Sequence, residues 1–303
     1  MFLCALSLMA MPGCGGGADE ADALDFPGFG NDMGTTSGAA FKPVSKVEVP
    51  DVSGLAPTTI DVSAVNEGYV SVAAESPARL KFQVTNGDMT YNYDLPNNGT
   101  PMMYPINMGD GSYLFRIMQN TSGSNYVEID STTADIALPS EFVPFLLPNM
   151  FCDYDSSSSC VGKAKELVES SATEGDALAA ICMYVVKNVR YDNEKAEKLA
   201  TTSGYAPNPD ETLATGMGIC FDYSSLAAAM LRSQGIPTKI VTGYVDPGDI
   251  YHAWIMVYID GTWKTAQFDV AAKTWSRLDT TFASTGGGSF VGDGLGYTDR
   301  YVY

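Results

Sequence analysis

Two runs of alternating character, Tyr251-His-Ala-Trp-Ile-Met-Val-Tyr-Ile259 and Thr262-Trp-Lys-Thr-Ala-Gln-Phe-Asp-Val270, are separated only by Asp260-Gly261. A two-residue Asp-Gly connection favours a type I′ turn, whose twist suits a tight antiparallel hairpin. The turn sets the register: Ile259 faces Thr262, and each further pair steps one residue outward on both strands. On that register His252 falls opposite Asp269 on one face of the sheet, with Cβ atoms expected about 4.5–5.5 Å apart. A carboxylate there can accept a hydrogen bond from one imidazole nitrogen, set the tautomer, and leave the other nitrogen for a thiol. His252 is the chain's single histidine, so a His-rich metal site is excluded.

The thiol that suits this pair is Cys220. It follows Gly216-Met-Gly218-Ile and precedes Asp222-Tyr-Ser-Ser-Leu-Ala-Ala-Ala-Met-Leu-Arg, a helix-forming run stopped by Gly235 and Pro237. A cysteine in a first helical turn lies where unsatisfied N–H groups and the helix dipole favour an anion, so a lowered thiol pKa is expected. Cys182 differs. It shares a helical stripe with Leu178, Ile181, Val185, Val186 and Val189, and is expected to be a buried, inert thiol. Cys152 and Cys160 flank a Ser-rich loop, and the spacing leaves a disulfide and two free thiols equally open.

Upstream, short strand-like runs alternate with turn signals. Gly68-Tyr-Val-Ser-Val-Ala, Leu80-Lys-Phe-Gln-Val, Met89-Thr-Tyr-Asn-Tyr-Asp-Leu, Tyr113-Leu-Phe-Arg-Ile-Met and Tyr126-Val-Glu-Ile each have a period of two, and Asn86-Gly87 stands between two of them. Six or more closely spaced strands predict an all-β sandwich of the immunoglobulin-like kind over 55–140, a packing or spacing module with no gathered catalytic groups. After Phe142-Val-Pro-Phe-Leu-Leu-Pro the pattern turns helical, so a second, α+β domain is expected over 145–303. Its Gly-rich stretch from Thr285 to Gly296 reads as a surface loop before a last strand at Tyr301-Val-Tyr303.

The N-terminal residues suggest an address. Phe2 to Met11 is an apolar run too short to span a bilayer, and it leads into Pro12-Gly13-Cys14. No Lys or Arg precedes it. Residues 1–14 resemble a bacterial lipoprotein signal in which Cys14 is lipidated, the alternative being an apolar terminus with an ordinary thiol. Residues 15–45 are Gly-rich and acidic, a composition expected to form a flexible tether. The formal charge of −19, from 36 acidic and 17 basic residues, argues against a nucleic-acid partner and gives no attraction to anionic lipid. Membrane contact would therefore go through the lipid on Cys14, placing the protein outside the cytoplasm.

Gly218-Ile-Cys220-Phe-Asp-Tyr-Ser-Ser-Leu, Gly235-Ile-Pro-Thr-Lys-Ile-Val-Thr-Gly-Tyr, Tyr251-His-Ala-Trp, Phe268-Asp269 and Val189-Arg-Tyr-Asp resemble the transglutaminase-like superfamily, of papain-like cysteine-peptidase fold. The resemblance covers about 175–285 and keeps the family's order of cysteine, histidine and aspartate. More loosely, the whole chain resembles Gram-positive lipoproteins carrying such a domain after a β-rich one. It implies a nucleophile at Cys220, a general base at His252 and an orienting partner at Asp269. The implied chemistry is cleavage or exchange of amide bonds in a peptide or cell-wall peptide through a thioester, without a cofactor or metal. The oxyanion would be held by the Cys220 N–H and a second donor, with Gln267, Trp254 and Tyr191 as polar candidates. Alternation turns Gln267 away from Asp269, while Trp254 shares the His252 face and is expected to wall the cleft; Trp254 and Tyr191 are the candidate substrate contacts. A non-catalytic binding or scaffolding protein retaining the fold is the competing expectation. The sequence does not specify an oligomeric state.

Overall fold

The computed structural model describes residues 39–202, 204–245, 250–269, 274–278 and 297–303, without the side chains of 245, 250, 267–269, 274–278 and 297–299. Cys14, the signal-like segment, most of the expected tether and the Gly-rich stretch lie outside the described residues.

The N-terminal half folds into strands β1 (Thr59–Asp61), β2 (Tyr69–Ala73), β3 (Leu80–Asn86), β4 (Met89–Leu95), β5 (Met102–Pro105), β6 (Gly111–Ser122) and β7 (Asn125–Ile136). They form two antiparallel sheets, ordered β1-β2-β5 and β4-β3-β6-β7. The period-two pattern decides which residues point inward. Leu80, Phe82 and Val84 pair with Leu95, Tyr93 and Tyr91, and Phe115 and Ile117 pair with Val84 and Phe82. All of these are buried in one apolar cluster with Val70, Val72 and Tyr104 from the other sheet. The hairpin turn falls one residue later than Asn86-Gly87, because Asn86 pairs with Met89 and leaves Gly87-Asp88 as the loop.

The second half is mixed. Helices α1 (Ser159–Val168), α2 (Glu174–Asn188), α3 (Asn193–Leu199), α4 (Pro209–Thr215) and α5 (Cys220–Arg232) are followed by strands β10 (Thr238–Val245), β11 (Ile250–Ile259), β12 (Thr262–Asp269), β13 (Thr274–Leu278) and β14 (Tyr297–Val302). Two short strands, β8 (Arg190–Tyr191) and β9 (Met217–Gly218), form a parallel pair between the helices. The five long strands make an antiparallel sheet ordered β13-β12-β11-β10-β14.

Helix α5 is the hub of this half: every residue from Asp222 to Arg232 is buried. Its alanines at 227–229 let neighbours approach closely. The α2 stripe of Leu178, Ile181, Cys182, Val185 and Val186 joins the same cluster as Ile240 of β10 and Ile255, Val257 and Ile259 of β11. Burying each such aliphatic side chain contributes roughly 1.5–3 kcal/mol. Thr173 and Asp176 cap the start of α2 reciprocally, at 3.1 and 2.9 Å. Asp210 takes the first N–H groups of α1, from Ser159 at 2.9 Å and Cys160 at 2.8 Å.

Several expectations are corrected. The tether does not extend to residue 45, because Phe41 is buried in the helical core and its N–H donates to the Ala172 carbonyl at 3.0 Å. An apolar side chain at the end of the spacer finds cover beside α2, and the backbone follows it. Cys152 and Cys160 are free, buried thiols, so the disulfide is not formed. The β-rich module is more than a spacer. Tyr91 of β4 stacks edge-on against Tyr301 and Tyr303 at 5.3 and 5.9 Å, and its hydroxyl accepts from the Val302 N–H at 3.1 Å. Asn107 donates to the Val302 carbonyl at 2.5 Å, so the edge strand β14 is held from both sides.

Arg232, at the end of α5, ties three segments together. Its guanidinium donates to Thr238 at 2.8 Å, Leu147 at 2.7 Å and Tyr303 at 2.8 Å, all carbonyl oxygens, and the residue is only 2% exposed. Arg232→Met leaves those buried carbonyls short of donors and is expected to destabilise the fold by roughly 3 kcal/mol or more. Urea unfolding followed by tryptophan fluorescence checks this; an unchanged midpoint would contradict it.

Candidate active site

The approach to Cys220 is built from turns that each have a physical cause. Helix α4 ends at Gly216, whose φ of +60° is the left-handed geometry glycine accepts without cost. The chain then pairs with β8: the Arg190 and Asp192 N–H groups donate to the Gly216 and Gly218 carbonyls at 2.9 and 3.0 Å. The Tyr223 hydroxyl donates to the Val189 carbonyl at 2.7 Å, fastening α5 to the end of α2. A Cβ on Gly218 would lie 2.5 Å from the Asp222 Cβ, so only glycine lets the chain turn into the helix here.

Cys220 opens α5, as its flanking residues predict. Asp222, with no accessible surface, reaches back to accept the Ile219 N–H at 2.8 Å. The same carboxylate accepts the Tyr205 hydroxyl and lies 3.0 Å from the Lys195 ammonium. The backbone N–H groups of Ala253 on β11, and of Phe221 and Cys220 in the helix itself, favour the thiolate form of this sulfur. The Ala253 contribution brings β11 to Cys220. Tyr258 donates its N–H to Pro237, on the β10 side, so by alternation the Ala253 N–H faces β12. The β11–β12 ladder ends at Ile255↔Ala266, and Ala253 lies just past that end.

His252, partly buried, directly precedes Ala253 and pairs with Gly243 of β10. The hairpin has the expected register, Ile259↔Thr262 through Ile255↔Ala266, but its ladder stops three positions short of His252 and Asp269. Asp269 ends β12 and pairs with Thr274 of β13. Direct cross-strand pairing of His252 with Asp269 is therefore not observed. The side chains of Asp269 and Gln267 lie outside the described residues. Trp254 is 1% exposed and does not line an open cleft. Tyr191 is 36% exposed and pairs with Gly218, two residues before Cys220, which puts it on the rim. Cys182 is fully buried, and burial pushes its pKa far up.

The electrostatics differ from the thiolate expected of a helix start. Burial pushes the Cys220 thiol up to about 11, aided by the Asp222 charge and opposed by the three N–H groups. Burial also pushes His252 down to about 4. At neutral pH the proton therefore rests on sulfur and the imidazole is neutral. Tyr205, Lys195 and the Ala253 N–H had no sequence signal. Asp222 had one, an acid at the third helical position, the acidic half of a capping box. Among the described residues no group of His, Cys, Asp and Glu side chains could hold a metal ion.

Residues 162–269 match the Transglutaminase-like superfamily. They form a transglutaminase-like domain. Similar proteins include an uncharacterised protein of Mycobacterium leprae, 32% identical over 89 residues that cover 26% of this chain and 32% of the relative. The Kyphoscoliosis peptidase of Mus musculus is 26% identical over 128 residues, covering 38% of this chain and 18% of that protein. The chain thus spans about a third or less of the length of these curated relatives. A solved structure described as a candidate cysteine protease, from Cytophaga hutchinsonii, is 17% identical with a TM-score of 0.36, covering 65% of this chain and 70% of that one.

A neutral resting thiol makes a prediction. Alkylation of Cys220 by iodoacetamide is expected to quicken continuously from about pH 7 to about pH 10, because only the thiolate reacts. Mass mapping of the modified peptide checks this, and a rate already level at about pH 7 would reveal a thiolate–imidazolium pair instead.

Proposed function

We propose that this transglutaminase-like domain is a thiol enzyme acting on amide bonds of peptides, with Cys220 as nucleophile, His252 as general base and then acid, and Asp269 as its orienting partner. The observation that carries the reading is the meeting of the Cys220 sulfur with the β11 backbone at Ala253, the residue that follows the only histidine. In the first step the thiol proton passes to the neutral imidazole as sulfur attacks the amide carbonyl carbon. The tetrahedral intermediate collapses by breaking the carbon–nitrogen bond, and His252 returns the proton to the departing amine. The thioester left on Cys220 is then attacked by water, giving a carboxylic acid and the free thiol. An amine in place of water would give a new amide, but no dedicated amine site is evident among the described residues, so hydrolysis is the favoured outcome. The neutral imidazole and protonated thiol suit proton transfer concerted with attack.

The peptide substrate is supported by the likeness to a peptidase, and Tyr191 on the rim is the substrate contact we favour. A lipid on Cys14 and a tether ending before Phe41 would hold the enzyme at the outer face of a membrane, within reach of cell-wall peptide. The two-sheet module, taken as an immunoglobulin-like sandwich, would brace the catalytic sheet through β14.

The test is turnover of glutamine-containing peptides, followed by ammonia release and by mass spectrometry for new termini. Cys220→Ala is expected to abolish it, and His252→Ala to slow it about 10²–10⁴-fold. Cys182→Ala is expected to leave the site's chemistry unchanged. Hydroxylamine should trap the acyl group from the wild-type enzyme as a hydroxamate. Turnover that survives Cys220→Ala would overturn the reading, and a wild-type chain that binds peptides without forming a trappable thioester would favour the binding-protein alternative.

A further inference from the structure

Asp222 is the most demanding side chain near the nucleophile. It is a carboxylate with no accessible surface, two residues from Cys220. A buried charge of this kind persists only when donors and an opposite charge replace water. Three groups from three separate segments do so: the Ile219 N–H at 2.8 Å, the Tyr205 hydroxyl, and the Lys195 ammonium at 3.0 Å. Lys195 also lies 4.8 Å from the centre of the Tyr205 ring, so the cation and the hydroxyl support each other. The Tyr205 ring in turn meets Phe221, the neighbour of Cys220, edge-on at 6.5 Å. Lys195 belongs to α3, whose capping residue Asp192 accepts the Lys195 N–H at 2.9 Å. That same Asp192 donates its N–H to Gly218. The network therefore closes on itself around the turn that delivers the nucleophile.

We propose that Lys195 and Tyr205 are positioning residues for Cys220: they hold and neutralise the buried Asp222 carboxylate, so that it fixes the first turn of α5 without leaving an uncompensated negative charge beside the sulfur. This rests on the reading of Cys220 as nucleophile. The charged and titratable groups around the turn are Asp222 on α5, Lys195 and Asp192 at α3, Glu211 on α4, Tyr191 on β8, Tyr205 in the connection before α4, and His252 on β11. Lys195 is the cation among them that contacts Asp222. Without it the carboxylate keeps two donors, and its charge opposes formation of the thiolate without compensation.

The experiment uses the full chain and follows the second-order rate of Cys220 alkylation by iodoacetamide between about pH 6 and about pH 10. Lys195→Met should displace the profile to higher pH and slow the reaction about three- to tenfold at about pH 9, the effect of half to one unit in thiol pKa. Lys195→Arg should restore the wild-type profile, which loss of packing alone would not do. Tyr205→Phe keeps the ring and removes one donor; it should shift the profile in the same direction by less, and it carries the test if Lys195→Met does not fold. Profiles for Lys195→Met or Tyr205→Phe that superimpose on wild type would overturn the proposal, as would a failure of Lys195→Arg to rescue. The two readings separate cleanly: amide turnover that survives Cys220→Ala defeats the nucleophile assignment, whereas turnover lost in Cys220→Ala with unmoved Lys195 profiles defeats only the positioning role.

Discussion

The structure depends on the burial of α5. A helix whose residues from 222 to 232 are all covered must be met on every side, by α1 and α2 across small side chains and by β10 and β11 across Ile240, Ile255 and Val257. Both ends of such a helix bring unsatisfied backbone groups into the interior. At the far end Arg232 supplies donors to the carbonyls around it. At the near end the Asp222 carboxylate takes the Ile219 N–H.

Burial also decides the protonation of the site. A helix N-terminus favours an anion by about 0.3–1 kcal/mol when exposed. Removing a thiolate or an imidazolium from water costs several kcal/mol before compensation. The second effect is larger, so Cys220 keeps its proton and His252 stays neutral.

The N-terminal module contributes through β14 rather than through groups of its own. Val302 would otherwise present an open strand edge, and its backbone is closed by Tyr91 and Asn107. Aromatic contacts continue from Tyr93 to Phe151 and from Phe151 to Phe221, so the packing of β4 reaches the first turn of α5. The link between the two halves lies against the five-stranded sheet, with the Phe142 ring tilted 4.3 Å from that of Tyr258 and Lys239 lying 3.8 Å over Trp263.

Local pattern alone determined much of this protein. The hairpin register around Asp260-Gly261, the α5 start at Cys220, the apolar stripe of α2 and the alternation in β3 and β4 all follow from backbone periods and turn chemistry that neighbouring residues share. The tertiary structure decided what depends on partners far apart in sequence. It covered Trp254, left Cys152 and Cys160 as free thiols, drew Phe41 into the core, and ended the β11–β12 ladder before His252. It also brought Lys195 and Tyr205 to Asp222, and reversed the expected charge state of Cys220. Period and spacing report which way a side chain points along its own element. Burial, and the desolvation that follows from it, depends on what the rest of the chain places over that side chain.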